Sequence, residues 1–350
     1  MLRRYYHDFT VTDYLQDPVL EEVRFDCGLG TNPFLDHQII ADCLDQADWA
    51  INAYSFEAYA RLKRRLVDFW DGQRLGLDLG NLALGAGSFT LMRDTCGFAL
   101  DSGGVSLGYA PQFPRIESET AMRQARYVAV PMTGPAYRFD LEPFLAGWPD
   151  RVNLVYLDNP NNPTGQIIAL ADIESVAAQA RRRGALTLVD EAYGDYMEPE
   201  ESAINLVSKY DNLIVTRSAS KFWGLPNHRI GYAFAARELV EILEKVSNPF
   251  PFADFSAAVF TALLDRADDM AASKRATRQA KTRAMAGLPG LAHTSAITPI
   301  MVVPIPAGEL AGHGIQAASC AIVHRLGPGY SRIRLHRETN ALIAELQQLY

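Results

Sequence analysis

Ser218-Ala219-Ser220-Lys221-Phe222-Trp223-Gly224-Leu225-Pro226-Asn227-His228-Arg229-Ile230-Gly231 is the stretch from which the fold is read. It sets one lysine, Lys221, among small hydroxyl residues and places Arg229 eight positions further on. The apolar residues just before it, Leu213, Ile214 and Val215, predict a buried strand running into the loop. A lysine so placed is able to form an imine with an aldehyde cofactor, and the arginine and hydroxyls suit that cofactor's phosphate. Alone, a lysine beside serines is more often a solvated surface residue, so its surroundings decide the reading.

Those surroundings repeat one pattern. Upstream, the strand-like run Leu186–Val189 delivers Asp190-Glu191-Ala192-Tyr193, where Asp190 and Tyr193 are close enough to face one pocket. Before it, Asn153–Leu157 reads as a buried strand ending in Asp158-Asn159-Pro160-Asn161-Asn162-Pro163-Thr164-Gly165. Ligands in open α/β sheets bind at the carboxyl ends of strands, where these Asn-Pro pairs stand. A helical pattern over Leu170–Arg183, stopped by Gly184, joins the two strands. Earlier still, Gly85-Ala86-Gly87-Ser88 precedes an apolar helical stretch, and free N–H groups at such a helix start form a phosphate site. Tyr109-Ala110-Pro111-Gln112-Phe113-Pro114 is a strand-to-turn piece presenting an aromatic ring. Strand, loop and helix alternating from about 80 to 235 predict a mostly parallel sheet wound with helices.

The flanks read differently. Residues 1–45 form an arm with part of a smaller domain, and Gly28-Leu29-Gly30-Thr31-Asn32-Pro33 is a loop whose backbone comes close to a neighbour. Helical spacing covers Phe56–Trp70, with Tyr54 just ahead of it. A large α/β domain spans 46–245, ending in a helix over Arg237–Val246, and the hinge is expected at Asn248-Pro249-Phe250-Pro251-Phe252. Residues 246–350 complete a smaller α+β domain built from both termini. There one long helix is expected over Ala257–Met285, a strand over Thr298–Pro304, a half-buried strand over Tyr330–His336 and a closing helix over Ala341–Leu349.

Composition removes several function classes. A net charge of −8 leaves no electrostatic footprint for nucleic acid or an anionic membrane. No run approaches the roughly 18 apolar residues of a membrane span, and the first residues lack the apolar core of a signal peptide. The four cysteines have neither metal nor disulfide-framework spacing, so no metal is expected and the thiols read as reduced and cytoplasmic.

In this order the segments resemble one family, the fold-type-I aminotransferases that use pyridoxal 5′-phosphate (PLP), nearest the histidinol-phosphate aminotransferase and threonine-phosphate decarboxylase branch. The resemblance runs from about residue 25 to the end of the chain. It rests on Ser218-x-Ser220-Lys221-x-x-Gly224-Leu225-Pro226-x-x-Arg229-x-Gly231, on Asn162-Pro163-Thr164-Gly165 and on Asp190-x-x-Tyr193. It implies an aspartate aminotransferase-like large domain with a mostly parallel sheet. Lys221 would hold PLP as an imine and then move a proton, and Asp190 would keep the pyridine nitrogen protonated. Tyr193 and Asn162 would bond the ring oxygen, and Phe113 would stack on the ring. Arg229, Ser218, Ser220 and the Ala86-Gly87-Ser88 backbone would share the phosphate. Arg332 matches the family's carboxylate-binding arginine, Arg334 shares its strand face and is an alternative, and Gly30 and Asn162 would border the substrate. Tyr54 would reach the phosphate of a second subunit, implying a homodimer with shared sites.

Two departures stand out. Asn227 replaces the usual glycine, with a left-handed backbone still open to it, and Phe113 replaces the commoner tyrosine. The expected activity is transamination of an α-amino acid or related primary amine. Decarboxylation, elimination or cyclisation of a hydroxylated or phosphorylated amino acid uses the same residues and stays open. A regulatory PLP-binding module is not expected, because such proteins usually carry an attached DNA-binding domain and no basic helix-turn-helix segment is read here. Nor is a nicotinamide-binding enzyme, because Gly85-x-Gly87 lacks the rest of a dinucleotide fingerprint.

Overall fold

The structure, a computed structural model, describes residues 22–49, 52, 54, 56–71, 74–132, 134, 137–288 and 294–350. The signal-peptide expectation and the first 21 residues of the amino-terminal arm lie outside the described residues.

In chain order the strands are β1 (Phe25–Asp26), β2 (Leu82–Ala86), β3 (Val105–Ala110), β4 (Arg126–Pro131), β5 (Leu154–Asp158), β6 (Leu186–Glu191), β7 (Leu213–Ser218), β8 (Ile230–Ala235), β9 (Ile300–Val303), β10 (Ile315–Gln316), β11 (Ala318–Ser319) and β12 (Ser331–Arg334). The helices are α1 (His37–Gln46), α2 (Phe56–Asp71), α3 (Ser88–Ala99), α4 (Arg115–Ala121), α5 (Leu141–Ala146), α6 (Leu170–Arg182), α7 (Arg237–Val246), α8 (Asp254–Leu263), α9 (Ala267–Gly287), α10 (Ala307–Gly312) and α11 (Thr339–Leu346).

Seven strands form one sheet in the order β2-β8-β7-β6-β5-β3-β4. From β7 to β4 every neighbouring pair is parallel, and β8 alone runs against both its neighbours. Helices cover this sheet, so β5 and β7 are buried along their whole length, which is why they read as continuous apolar runs. The register puts Asp158 beside Asp190 and Asp190 beside Thr216. Three polar side chains thus stand in one row at the carboxyl edge of an otherwise apolar sheet. Gly184, at φ 68°, ends the turn after α6, where a left-handed residue is required.

A second, smaller core joins Phe25 and Cys27 to residues between Ala280 and Leu346. It holds the antiparallel sheet β11-β12-β9 and the parallel pair β1-β10. The break at residues 248–252 ends α7, yet Phe252 and α8 remain in the core of the seven-stranded sheet. The crossing lies within α9, where Met270 belongs to the first core and Ala280 and Ala284 to the second.

Two local expectations are corrected. The single helix over 257–285 is divided into α8 and α9. Arg65 of α2 bonds the Leu264 carbonyl and the Asp265 carboxylate at the break, and Arg266 bonds Asp269 as the second helix begins. The strand near residue 332 is buried on both faces rather than half-buried. Ile333 faces the second core, while Arg332 and Arg334 are covered by the amino-terminal loop.

Candidate active site

A cavity of about 530 Å³ opens at the carboxyl edge of the seven-stranded sheet. Four strand ends contribute to it: Phe113 after β3, Asp158 and Asn162 at β5, Asp190 and Tyr193 at β6, and Ser218, Ser220 and Lys221 at β7. Ser88 enters from the start of α3 and Arg229 from the turn before β8. Gly30 and Arg332 close it from the side of the second core. Eleven of the residues expected from sequence therefore border one space, because parallel strands all present their carboxyl ends to one edge.

Asp190 is 5 % exposed and accepts hydrogen bonds from Thr216 Oγ1 at 3.0 Å and the Tyr156 hydroxyl at 3.3 Å. Burial pushes its carboxyl up to about 6, and those donors, with Ser88 and the Ala192 N–H, hold it back from a larger rise. Lys221 faces it from the next strand end, its Nζ 5.6 Å from the centre of the Tyr193 ring. Burial, then the positive charges of Arg332 and Arg229, bring its amine down to about 8, with Asp190 acting in the opposite sense. An amine of that kind is in part neutral near pH 7, as a nucleophile or proton carrier must be.

The loop after β7 is locked by its own hydrogen bonds. Ser218 Oγ accepts from the Ser220 N–H at 3.2 Å, and the Ala219 and Leu225 amides close it on Ile230 and Ala219 carbonyls. Asn32 clamps it from outside, through its N–H to the Lys221 carbonyl at 3.0 Å and its Nδ2 to the Phe222 carbonyl at 2.8 Å. Asn227 lies in the short turn of helix Pro226–His228 and is not left-handed; Gly224 and Arg229 take that role at φ 66° and 53°. Reversing the chain at Arg229 brings its guanidinium against Gly87, where a β-carbon would lie 2.6 Å from Nη2. Gly87 itself is left-handed at φ 79°, and no side chain of the described residues caps α3. The first N–H groups of α3, the Ser218 and Ser220 hydroxyls and Arg229 make a donor set that fits a dianionic phosphate. Ala86 and Gly87 shape that turn and do not border the cavity; the Ala86 carbonyl takes the Thr90 hydroxyl at 2.9 Å.

At the opposite end, Arg332 donates to Asn162 Oδ1 at 3.1 Å and to the Gly28 carbonyl at 2.5 Å, and it borders the cavity. Arg334 does not border it. Its guanidinium is held by Thr31 Oγ1 at 2.8 Å and by the Asp26 carbonyl. Tyr54 is also outside, 78 % exposed, with its ring 4.5 Å from that of Phe250 and tilted by 33° to it.

Sequence reading passed over Asp158, Tyr156, Thr216 and Asn32. Thr216 and Tyr156 were legible as polar groups inside apolar strand runs, and Asp158 as the last residue of one. Asn32 became recognisable only when the loop was seen to pack against α9, where its Nδ2 meets Ser273 Oγ at 2.8 Å. Among the described residues no cluster of histidine, cysteine and carboxylate side chains suits a metal ion, and no helix is long and apolar enough to cross a membrane.

The family model described as aminotransferase class I and II matches residues 39–341. An aromatic amino acid aminotransferase of Rhodococcus erythropolis is 30 % identical over 280 residues, covering 80 % of this chain and 76 % of that protein. A histidinol-phosphate aminotransferase of Caldicellulosiruptor saccharolyticus is 26 % identical across 77 % of this chain and 76 % of its own. Among solved structures, histidinol-phosphate aminotransferase from Sinorhizobium meliloti in complex with pyridoxal-5′-phosphate has a TM-score of 0.80, with 22 % identity over 100 % of this chain and 98 % of that one. The Clostridium acetobutylicum enzyme of the same name gives 0.81 at 18 % identity, over 93 % and 98 %. At such identities these two likenesses speak for the fold.

Proposed function

The chain belongs to the class I and II aminotransferases, PLP-dependent enzymes, and from that premise we propose how its own residues divide the work. When bound, PLP supplies an aldehyde that exchanges for the substrate's amine and a ring that accepts electrons from the carbon losing its proton. Lys221 Nζ is assigned to hold that aldehyde and to carry the proton to and from the substrate's α carbon. Its lowered basicity supports this, as does its place opposite Asp190. Asp190 binds the ring nitrogen and keeps its proton there, with Thr216 and Tyr156 fixing the carboxylate's direction. Tyr193 and Asn162 orient the ring through its oxygen, and Phe113 covers one face. Arg229, Ser218, Ser220 and the start of α3 bind the phosphate.

Arg332 is assigned to the substrate's α-carboxylate. The single observation behind the whole reading is that it shares one cavity with Lys221 and Asp190, so a substrate gripped there has its amine within the lysine's reach. Leu29, Phe89, Phe113 and Pro160 give this cavity an apolar flank. That flank and the names of the relatives favour an aromatic or imidazole-bearing amino donor. The test is a spectral half-reaction with purified, PLP-loaded protein, offering aromatic amino acids and histidinol phosphate first. Conversion of bound cofactor from its aldehyde to its amine form, with release of the matching oxo product, is expected. Release of carbon dioxide or water with no such product would overturn the assignment.

The same reading includes a second copy of the chain. Tyr54 and Phe56, 78 % and 66 % exposed, both meet Phe250 in one aromatic patch, and Trp49, 38 % exposed, meets Phe255 in a separate pair. A twofold contact there would cover it and bring Tyr54 towards the partner's phosphate site. Four free, buried thiols agree with a cytoplasmic location.

A further inference from the structure

Asp158 ends β5 and is 3 % exposed, with a carboxylate that accepts four hydrogen bonds. Oδ1 takes the Tyr109 hydroxyl at 2.7 Å and Asn161 Nδ2 at 3.0 Å. Oδ2 takes two backbone amides, those of Phe113 at 3.1 Å and Asn162 at 2.9 Å. These amides belong to loops after different strands, β3 and β5, and to the two residues assigned above to the ring face and the ring oxygen.

We propose that Asp158 is a positioning residue for the cofactor: one carboxylate oxygen ties the Phe113 loop to the Asn162 loop and so fixes where the ring lies between them. The inference rests on the cofactor reading given under Proposed function. Its physical basis is that both amides point at one atom, so neither loop moves without breaking a charge-assisted bond. Tyr109 and Asn161 hold the other oxygen and set the plane of the carboxylate. Asn162 is also bonded to Arg332, so the same tie reaches the carboxylate end of the cavity. Burial raises the Asp158 carboxyl to about 6, with the nearby Asp190 charge adding to the rise, while the Tyr109, Asn162 and Asn161 donors pull it back.

The test compares Asp158→Ala, Asp158→Asn and Asp190→Asn in the full-length, PLP-reconstituted protein, reading the PLP dissociation constant, the circular dichroism band of bound cofactor, and the melting temperature. Asp158→Ala is expected to weaken PLP about tenfold and to reduce the dichroism band by more than half. Asp158→Asn keeps one oxygen for the two amides but loses the charge that strengthens those bonds, so it is expected to recover most of the loss and to leave PLP two- to threefold weaker with an altered band. A brace that served stability alone would lower the melting temperature and leave affinity and dichroism unchanged, and that outcome overturns the proposal. If Asp158→Ala does not fold, Asp158→Asn decides: a two- to threefold weakening with an altered band supports the tie, and unchanged values overturn it. Asp190→Asn separates the two levels. If it leaves PLP affinity unchanged, the cofactor reading fails; if it weakens PLP while both Asp158 variants bind normally, only the positioning role fails.

Discussion

A β-carbon placed on Gly30 would stand 1.7 Å from the hydroxyl oxygen of Tyr193. The amino-terminal loop therefore lies directly on a residue delivered by β6, more than 160 positions later in the chain. That contact closes one side of the cavity, and it is available only to a residue without a side chain.

Gly30→Ala must displace either the Tyr193 ring or the loop. Stability should fall as well, because Gly30 is buried and Tyr193 is packed in the core. Activity should fall by about tenfold or more, since a shift of that size misplaces a group at the reacting centre. Steady-state kinetics beside a thermal melt would check this, and normal activity would mean that the loop yields freely.

Arg332 and Arg334 should separate cleanly. Arg332→Lys is expected to raise KM for the amino donor at least tenfold, because a lysine cannot reproduce the planar two-pronged grip on a carboxylate. Arg334→Lys should act mainly on stability, by about 1–2 kcal/mol, through its bonds to Thr31 and the Asp26 carbonyl. The opposite pattern in KM would exchange their assigned roles.

Asp190 gives a stability prediction against pH. Its folded carboxyl is raised from 3.8 to about 6, so folding takes up a proton between those values. The apoprotein should lose stability as pH rises through about 4 to 6, by about 3 kcal/mol in all. Asp190→Asn removes that loss. It should melt above the parent apoprotein at pH 7 and lose this advantage below pH 4, although it is expected to be nearly inactive.

Lys221 gives a kinetic one. Only the neutral amine captures the aldehyde, so the rate at which apoprotein takes up PLP should rise with pH and level off above about 8. Arg332→Ala removes one of the charges that depress the amine, and its inflection should move to higher pH. Stopped-flow absorbance across pH 6–10 would follow both, and an inflection unmoved by the substitution would show that Arg332 does not act on the lysine.

The aromatic patch makes a last prediction. Tyr54→Ala combined with Phe250→Ala should weaken self-association and make activity depend on protein concentration, as sedimentation velocity beside kinetics would reveal. A parent protein that sediments as a monomer would remove the shared-site arrangement.

The sequence by itself determined the parallel sheet and the polar residues at its carboxyl edge. Lys221, Asp190 and Asn162 each follow an apolar run, and parallel strands carry such residues to the same side whatever the loops between them do. Only the tertiary structure decided which of two arginines on one strand borders the cavity, because residues two apart share a face and their neighbours come from the amino-terminal loop. It alone showed that Asp158 joins two loops, that Gly30 touches Tyr193, and that Arg65 grips the break between α8 and α9. Periodicity registers which side of an element is buried. It does not register which distant backbone amide or guanidinium will meet that side, and those meetings are set by packing between segments far apart in the chain.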